Sequence, residues 1–213
     1  MVEKDVNLVE ALACRDFLEA HGVQVLMSRT KDENDPLTEE IRECNAFNPD
    51  LAVDIHNNAG SGDGFEAYFH FKGGTSKILA ENIEAEVTAI GQNSRGCKTR
   101  MNSSGRDYYG FIRETKCPAV ICEGCFVDNA TDVQIVDTTP EQRAFGVAYA
   151  KGILRTLGIA IKENTPQNTV QNNSNLETKY YVQVGAYSQK ENAEKQLQNA
   201  KSAGFTDSFI KSM

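Results

Sequence analysis

The sequence predicts a doubly wound α/β domain, with a mostly parallel sheet and helices on both faces. Two observations lead to this fold class. Apolar stretches typical of strands alternate along residues 1–158 with stretches whose apolar residues recur at helical spacing. In addition, DLAVDIH at residues 50–56 is apolar on both faces, as strands buried in a parallel sheet are.

The first predicted elements are two helices on either side of a strand. Apolar residues recur at helical spacing upstream of Gly22, which is placed to end that helix: Val9, Leu12, Ala13 and Phe17. The next stretch, VQVLMS over residues 23–28, predicts a strand. Asp35 and Pro36 favour the start of a second helix, which we expect to run to about Phe47.

The remaining elements continue this alternation. We expect strands in DLAVDIH, GFEAYFHF, YYGFIRE and PAVICEG, which begin at residues 50, 64, 108 and 118. Helices are predicted over residues 79–90, where apolar residues stay in register up to a glycine, and over residues 140–157, which Gly158 is placed to cap. Functional side chains are expected at the C-terminal ends of the parallel strands.

The composition changes after the α/β domain, which we bound at residues 1–158. Residues 159–178 are rich in Asn, Gln and Thr and contain almost no large apolar residue, so they predict a disordered linker. Residues 179–213 then read as strand, helix and strand, which predicts a small β-α-β fragment. A unit this short seldom folds alone.

The charge and hydropathy of the chain exclude two classes of protein. The net charge is −8, whereas nucleic-acid binders usually present a basic face. No apolar run reaches the roughly 18 residues of a membrane-spanning helix. We therefore expect no nucleic-acid partner and no membrane span, and the sequence leaves the oligomeric state open.

Two polar side chains stand at the ends of predicted strands. His56 ends DLAVDIH, and Glu123 interrupts PAVICEG, where an unpaired carboxylate is costly. Such residues suit a catalytic zinc ion, which takes about three protein ligands and a water molecule, with a nearby unbound carboxylate as base. His56 is thus the best ligand candidate and Glu123 the best base. The alternatives are a hydrogen-bonded structural histidine and a structural ion pair.

Other residues of these types have simpler interpretations. Glu3, just before the first helix, reads on its own as a first-turn acid favoured by the helix dipole. The six cysteines read as reduced core residues. Cys122 and Cys125 form a C-x-x-C with Cys117 upstream, and a thiol or structural zinc site there is a distant alternative. That pair closes a strand, whereas redox pairs open helices, and no second pair is correctly spaced.

Five segments, in order, resemble the zinc-dependent N-acetylmuramoyl-L-alanine amidases of the amidase-3 type. They are EKDVNL (3–8), GVQVLMSRT (22–30), DLAVDIHNN (50–58), GFEAYF (64–69) and PAVICEGCFVDN (118–129). The resemblance implies a doubly wound α/β fold and hydrolysis of the amide between N-acetylmuramic acid and the L-alanine of the peptidoglycan stem peptide. It implies Zn²⁺ ligands at Glu3 and His56 and a catalytic glutamate at Glu123. Asn58 matches a family asparagine that we expect to orient groups around the metal.

Enzymes of this kind are phage lysins or bacterial autolysins. The resemblance therefore implies a hydrolase that acts on peptidoglycan at the bacterial cell wall. A host autolysin would be extracellular, and a phage endolysin would be made in the cytoplasm and released at lysis.

The sequence also departs from the family pattern. The family's remaining zinc ligand is a histidine in a DPGHGG-like loop upstream of the position of Glu3. Because this chain begins at Met1, the resemblance predicts that the first strand and this histidine are missing and that zinc binds weakly. Asp54 stands where a serine is more usual, and Asn57 where an alanine is.

The segment KYYVQVGAYSQKENAEKQLQNAKSAGF, residues 179–205, resembles the first half of a sporulation-related repeat (SPOR) domain. Such domains adopt a β-α-β-β-α-β fold and bind peptidoglycan, so the resemblance implies a partial wall-binding domain over residues 179–213. A generic amphipathic fragment is the alternative for this segment. The rival to the enzyme is a non-catalytic peptidoglycan-binding protein left by truncation or decay of an amidase.

Overall fold

The computed structural model describes residues 1–162, together with five helical residues further along the chain: Glu194, Lys195, Leu197, Gln198 and Lys201. The chain divides into two compact units, residues 1–163 and 164–213. The five helical residues fall within the helix predicted for the C-terminal fragment. All but the first four residues of the predicted linker, and both predicted strands of that fragment, lie outside the described residues.

The described part of the first unit folds into ten elements. In chain order these are α1 (Glu3–Ala20), α2 (Leu37–Phe47), β1 (Ala52–Asn58), β2 (Phe65–Phe69), α3 (Thr75–Ala89), β3 (Ser94–Lys98), α4 (Gly110–Glu114), β4 (Ala119–Phe126), α5 (Ala130–Val133) and α6 (Thr139–Leu157). Within the described residues, no helix combines the length and the hydropathy that a membrane crossing requires.

The four strands form one sheet in the order β1-β4-β2-β3. β1 pairs with β4 and β2 pairs with β3 in parallel, while β2 and β4 are antiparallel. The sheet is therefore mixed, with two parallel pairings out of three. Its helices lie on both faces, which confirms the predicted α/β class.

β4 shows how the two faces are divided. Val120 and Cys122 belong to the main core, which the sheet shares with α1, α3 and α6. Ala119 and Ile121 belong to a second cluster, with α2 and α4. Because successive side chains of a strand point to opposite faces, Glu123 continues the row that faces α2 and α4.

α6 packs closely on α1 and α3 because two of its glycines lie at the contacts. A Cβ at Gly146 would overlap the backbone of Glu10 in α1, and one at Gly152 would lie 2.6 Å from the Cα of Ile83 in α3. The prediction of this helix is confirmed, including its end at Gly158, which has a left-handed φ of 69°.

Residues 23–28 do not form the predicted strand. β1 is an edge strand of the sheet, and a groove of about 830 Å³ lies between it and residues 22–29. Val23 and Val25 pack against the main core, which accounts for the alternating apolar pattern. A strand also requires a hydrogen-bonded neighbour, and this segment is not paired with β1.

In the second half of the unit, one predicted strand was wrong and one strand was not predicted. YYGFIRE contributes a short helix, α4, in which Phe111 and Ile112 are buried. A short apolar run fits a helix turn or a strand equally well, so its pattern did not decide between them. β3 was not predicted, because SRGCK is polar and its first two residues are exposed.

The cysteines are free, as expected of reduced core residues. Cys14, Cys122 and Cys125 are buried in the main core, and the other three are half-buried. Cys117 packs against the second cluster, on the other face of the sheet from Cys122 and Cys125. These three thiols therefore do not converge on one site, and the alternative of a zinc centre built on all three is wrong.

Candidate functional site

The parallel pairing of β1 and β4 brings His56 and Glu123 together. Their Cα atoms are register partners, two or three residues before the C-terminal ends of the two strands. The alternation of side chains places both on the face that α2 and α4 cover. Two residues that are 67 positions apart in the sequence thus meet where the topology predicts functional groups.

His56 lies between two carboxylates. Its Nδ1 is 2.9 Å from Oε1 of Glu3, which the start of α1 carries to the sheet edge. Its Nε2 is 3.2 Å from Oδ1 of Asp54, two residues earlier on the same face of β1. The hydrogen bonds with Asp54 and Glu3 outweigh burial and raise the pKa of His56 to about 11. The bond with His56 in turn lowers the pKa of Glu3.

Glu123 is the unpaired carboxylate of this group. Burial raises its pKa to about 7, His56 acts in the opposite direction, and the charges of Glu3 and Glu66 add to the increase. None of the described side chains donates a hydrogen bond to it. A carboxylate with a pKa near neutrality can both accept and return a proton under ordinary conditions.

A buried network of hydrogen bonds holds the Glu3 side chain in position. Asn57 donates to Oδ1 of Asn7 at 2.9 Å and to Oε2 of Glu10 at 3.1 Å, and its Oδ1 accepts from the backbone N–H of Cys125 at 3.0 Å. Asn7 then donates to Oε1 of Glu3 at 3.2 Å. This network ties α1 to β1 and β4 and fixes the first turn of α1, from which Glu3 reaches the site.

Two residues of the site were not predicted as such, Asp54 and Glu66. Asp54 interrupts the apolar residues of β1 two positions before His56. Glu66 interrupts the apolar strand β2 and is the register partner of Glu123. The same reasoning that singled out Glu123 could have found both.

The side chains at this edge of the sheet offer ligand atoms that suit a zinc ion. Glu3 and His56 supply a carboxylate oxygen and an imidazole nitrogen, which are both ligand atoms that zinc binds. Zinc-bound histidines commonly donate their other ring N–H to a carboxylate, and Asp54 is placed to accept it. Over the part of the chain that the structure describes, no group of three His, Cys, Asp or Glu residues is arranged to hold a metal. The pair therefore fits zinc as two of the roughly three protein ligands of a catalytic site.

Comparisons with known proteins agree with this arrangement. The CwlM N-acetylmuramoyl-L-alanine amidase of Bacillus licheniformis is 31% identical over 207 residues, which cover 95% of this chain and 74% of that protein. Cwp6 from Clostridium difficile has a TM-score of 0.72 and 34% identity, over 73% of this chain and 25% of Cwp6. The catalytic domain of CwlV, an amidase from Bacillus (Paenibacillus) polymyxa, shares the fold with a TM-score of 0.66, at 24% identity over 74% of this chain and 86% of that one.

Two family models match this chain. The model described as SPOR domain matches residues 176–212. The model described as N-acetylmuramoyl-L-alanine amidase matches residues 1–155, which is more than half of the chain. Glu3, His56 and Glu123 all lie within the residues that the amidase model matches. The protein belongs to the N-acetylmuramoyl-L-alanine amidase family.

Proposed function

We propose that this protein hydrolyses the amide bond between N-acetylmuramic acid and L-alanine in peptidoglycan, with Glu123 as the proton-transfer residue. The observation that carries the proposal is the register pairing of Glu123 with His56, which itself contacts Glu3, in a chain of the amidase family. The protein accordingly acts at the bacterial cell wall.

Zinc is the cofactor that this proposal requires. Glu3 and His56 would hold it, and Asp54 would orient the imidazole through Nε2. When bound there, zinc would supply a Lewis acid that polarises the amide carbonyl and makes water more acidic. The hydrogen bond of Asn7 keeps the Glu3 carboxylate turned towards His56 before any metal binds.

Glu123 accepts the proton of the attacking water and returns a proton to the departing amine of L-alanine. A pKa of about 7 suits both directions, because neither proton transfer is then strongly uphill near neutral pH. The absence of a hydrogen-bonding partner among the described residues leaves the carboxylate free to meet water and substrate.

The C-terminal part would hold the enzyme on its substrate. We propose that residues 1–158 form the catalytic domain, residues 159–178 a linker and residues 179–213 a peptidoglycan-binding segment. The match of the amidase model to residues 1–155 and of the SPOR model to residues 176–212 supports these bounds.

The hydrolysis is tested with purified cell walls, the full chain and added zinc. We expect new N-terminal L-alanine amino groups, detected by dinitrophenylation, and no new reducing sugars. Glu123→Gln should lower the rate at least about 100-fold, since a positioned general base contributes that much, whereas Glu19→Gln on the exposed end of α1 should not. The appearance of reducing sugars alone, or an unchanged rate in Glu123→Gln, would contradict the proposal.

Co-sedimentation with the same walls separates the enzyme from a non-catalytic wall-binding protein. We expect Glu123→Gln to sediment with the walls as the wild type does, because the substitution leaves residues 176–212 untouched. If the wild type sediments but releases no amino groups at any zinc concentration, wall binding alone is the function.

A further inference from the structure

Glu66 lies beside Glu123 in the sheet, on the side away from His56. Its Cα atom pairs with that of Glu123 across the antiparallel β2 and β4. Its side chain is 6% exposed, so its charge is taken almost wholly out of water. A buried carboxylate is strongly destabilising unless cations and donors surround it.

The partners of Glu66 include two cations from β3. Oε2 accepts from Nε of Arg95 at 2.9 Å and from Nζ of Lys98 at 2.5 Å. Oε1 accepts from the Tyr68 hydroxyl at 2.9 Å and from the Asn58 amide at 3.3 Å. All the donors converge on one carboxylate, which fixes where both cationic side chains lie.

One cation would neutralise Glu66, so the cluster of Glu66, Arg95 and Lys98 carries a surplus charge of +1. The Arg95 and Lys98 side chains remain 39% and 35% exposed. The Arg95 guanidinium also lies 5.1 Å from the centre of the Phe126 ring, which holds its plane in position. A positive surplus is unusual here, since the chain has a net charge of −8 and the neighbouring site is rich in carboxylates.

The two cations retain unused hydrogen-bond donors. Among the described residues, Lys98 donates only to Glu66, which leaves two of its three N–H groups. Arg95 donates to Glu66 through Nε, which leaves the N–H groups of its two terminal nitrogens. Pre-positioned, partly exposed donors with a surplus positive charge are the chemistry that binds a carboxylate.

The position of this cluster fits the peptide side of the substrate. β3 is the second strand from β4, and the cations extend from it to Glu66 on the intervening β2. Their charged groups therefore lie between one and two strand spacings, roughly 5–10 Å, from Glu123. An extended peptide advances about 3.3 Å per residue. A carboxylate one to three residues beyond the scissile amide would therefore reach the cations.

We propose that Arg95 and Lys98, held in place by Glu66, form a subsite that binds a carboxylate of the stem peptide next to L-alanine. This inference rests on the proposed function, because it assumes that the stem peptide crosses the sheet edge from Glu123 towards β3. The residue that follows L-alanine in the stem peptide is D-glutamate, which supplies such a carboxylate. Arg95 and Lys98 then determine specificity and do not take part in the proton transfers.

The test compares two ligands that differ only in charge, N-acetylmuramoyl-L-alanyl-D-glutamate and its diamide. Their dissociation constants are measured by NMR titration of the full chain with a chelator present, so that no hydrolysis occurs. The wild type should bind the diacid about tenfold more tightly than the diamide, as expected of partly exposed charged hydrogen bonds. Equal affinities would overturn the proposal without any variant having to fold.

Variants assign the preference to the cluster. Lys98→Met should bring the two dissociation constants to within about twofold, and Lys98→Arg should restore most of the difference. Lys77→Met, which removes an exposed lysine paired with Glu81 in α3, is the matched control and should keep the full preference. If Lys98→Met fails to fold because Glu66 loses a partner, the double variant Glu66→Gln with Lys98→Met removes the buried charge as well. A preference that persists in the folded variant refutes the subsite.

Failure of the subsite and failure of the proposed function give different results. If the diacid is preferred but zinc-loaded protein cleaves neither ligand nor cell walls, the subsite stands and the hydrolytic function fails. If both ligands bind equally and cell walls are cleaved at the L-alanine amide, the function stands and the subsite is wrong.

Discussion

Glu123→Gln should stabilise the metal-free protein at alkaline pH. Burial raises the pKa of Glu123 from the ordinary 4.5 to about 7. Between these two values the folded state binds more protons than the unfolded state, so the free energy of unfolding falls as the pH rises. Glutamine has almost the same shape and no charge to lose, so the variant avoids this loss.

The size of the effect follows from the two pKa values. A difference of 7 − 4.5 corresponds to about 3 kcal/mol at about 1.4 kcal/mol for each tenfold change. Glu123 is only half-buried, so solvent screening reduces the expected effect to roughly 2 kcal/mol. At about pH 5 the folded protein holds Glu123 protonated, and the variant and the wild type should differ by less than about 1 kcal/mol.

Urea denaturation followed by far-UV circular dichroism, with a chelator present, measures this effect at about pH 5 and about pH 8. Glu19→Gln on the exposed end of α1 is the control, and its stability should follow that of the wild type at both pH values. The reasoning is refuted if Glu123→Gln is no more stable than the wild type at about pH 8. A stability gain of equal size at both pH values would also refute it, since repacking would then be the cause.

Three further predictions concern the support of the site and the fold. Asp54→Ser should weaken zinc binding about ten- to a hundredfold, measured by competition with a chromophoric chelator, because Nε2 of His56 loses its carboxylate partner. Asn57→Ala should lower the free energy of unfolding in urea by about 3 kcal/mol, since it leaves the buried Glu10 without its donor, and a change below about 1 kcal/mol would argue against the network. Gly146→Ala should cost more than about 2 kcal/mol in the same assay, because its methyl group would overlap the backbone of Glu10.

The strands that build the site could be predicted because their signals are local. DLAVDIH and PAVICEG are apolar runs that turn signals follow, and both form strands. Once both are strands of one parallel pair, their C-terminal ends share an edge, and the meeting of His56 and Glu123 follows from topology. The sequence alone did not reveal that their register would make the two residues direct partners, because register depends on packing across the whole sheet.

The segments that were predicted wrongly or missed depend on partners distant in the sequence. Residues 23–28 carry an alternating apolar pattern, but they lie across a groove from β1 and are unpaired with it. SRGCK has little apolar character, and it forms β3 because β2 offers it a parallel edge. A single sequence reports the burial of side chains better than it reports which backbone groups find partners.

The carboxylates of the site differ in how their charges are compensated, and this difference identifies the residue that can move a proton. The hydrogen bond with His56 lowers the pKa of Glu3, so Glu3 stays ionised near neutral pH. Burial opposes ionisation of Glu66, but the two cations of β3 and the hydroxyl of Tyr68 hold its pKa below the ordinary value. Glu123 is half-buried beside these charges with no hydrogen-bonded partner of its own among the described residues, and its pKa rises to about 7. A further donor would stabilise the anion and lower this pKa away from neutrality. The poorly compensated charge of Glu123 and its capacity as a general base therefore have the same physical origin.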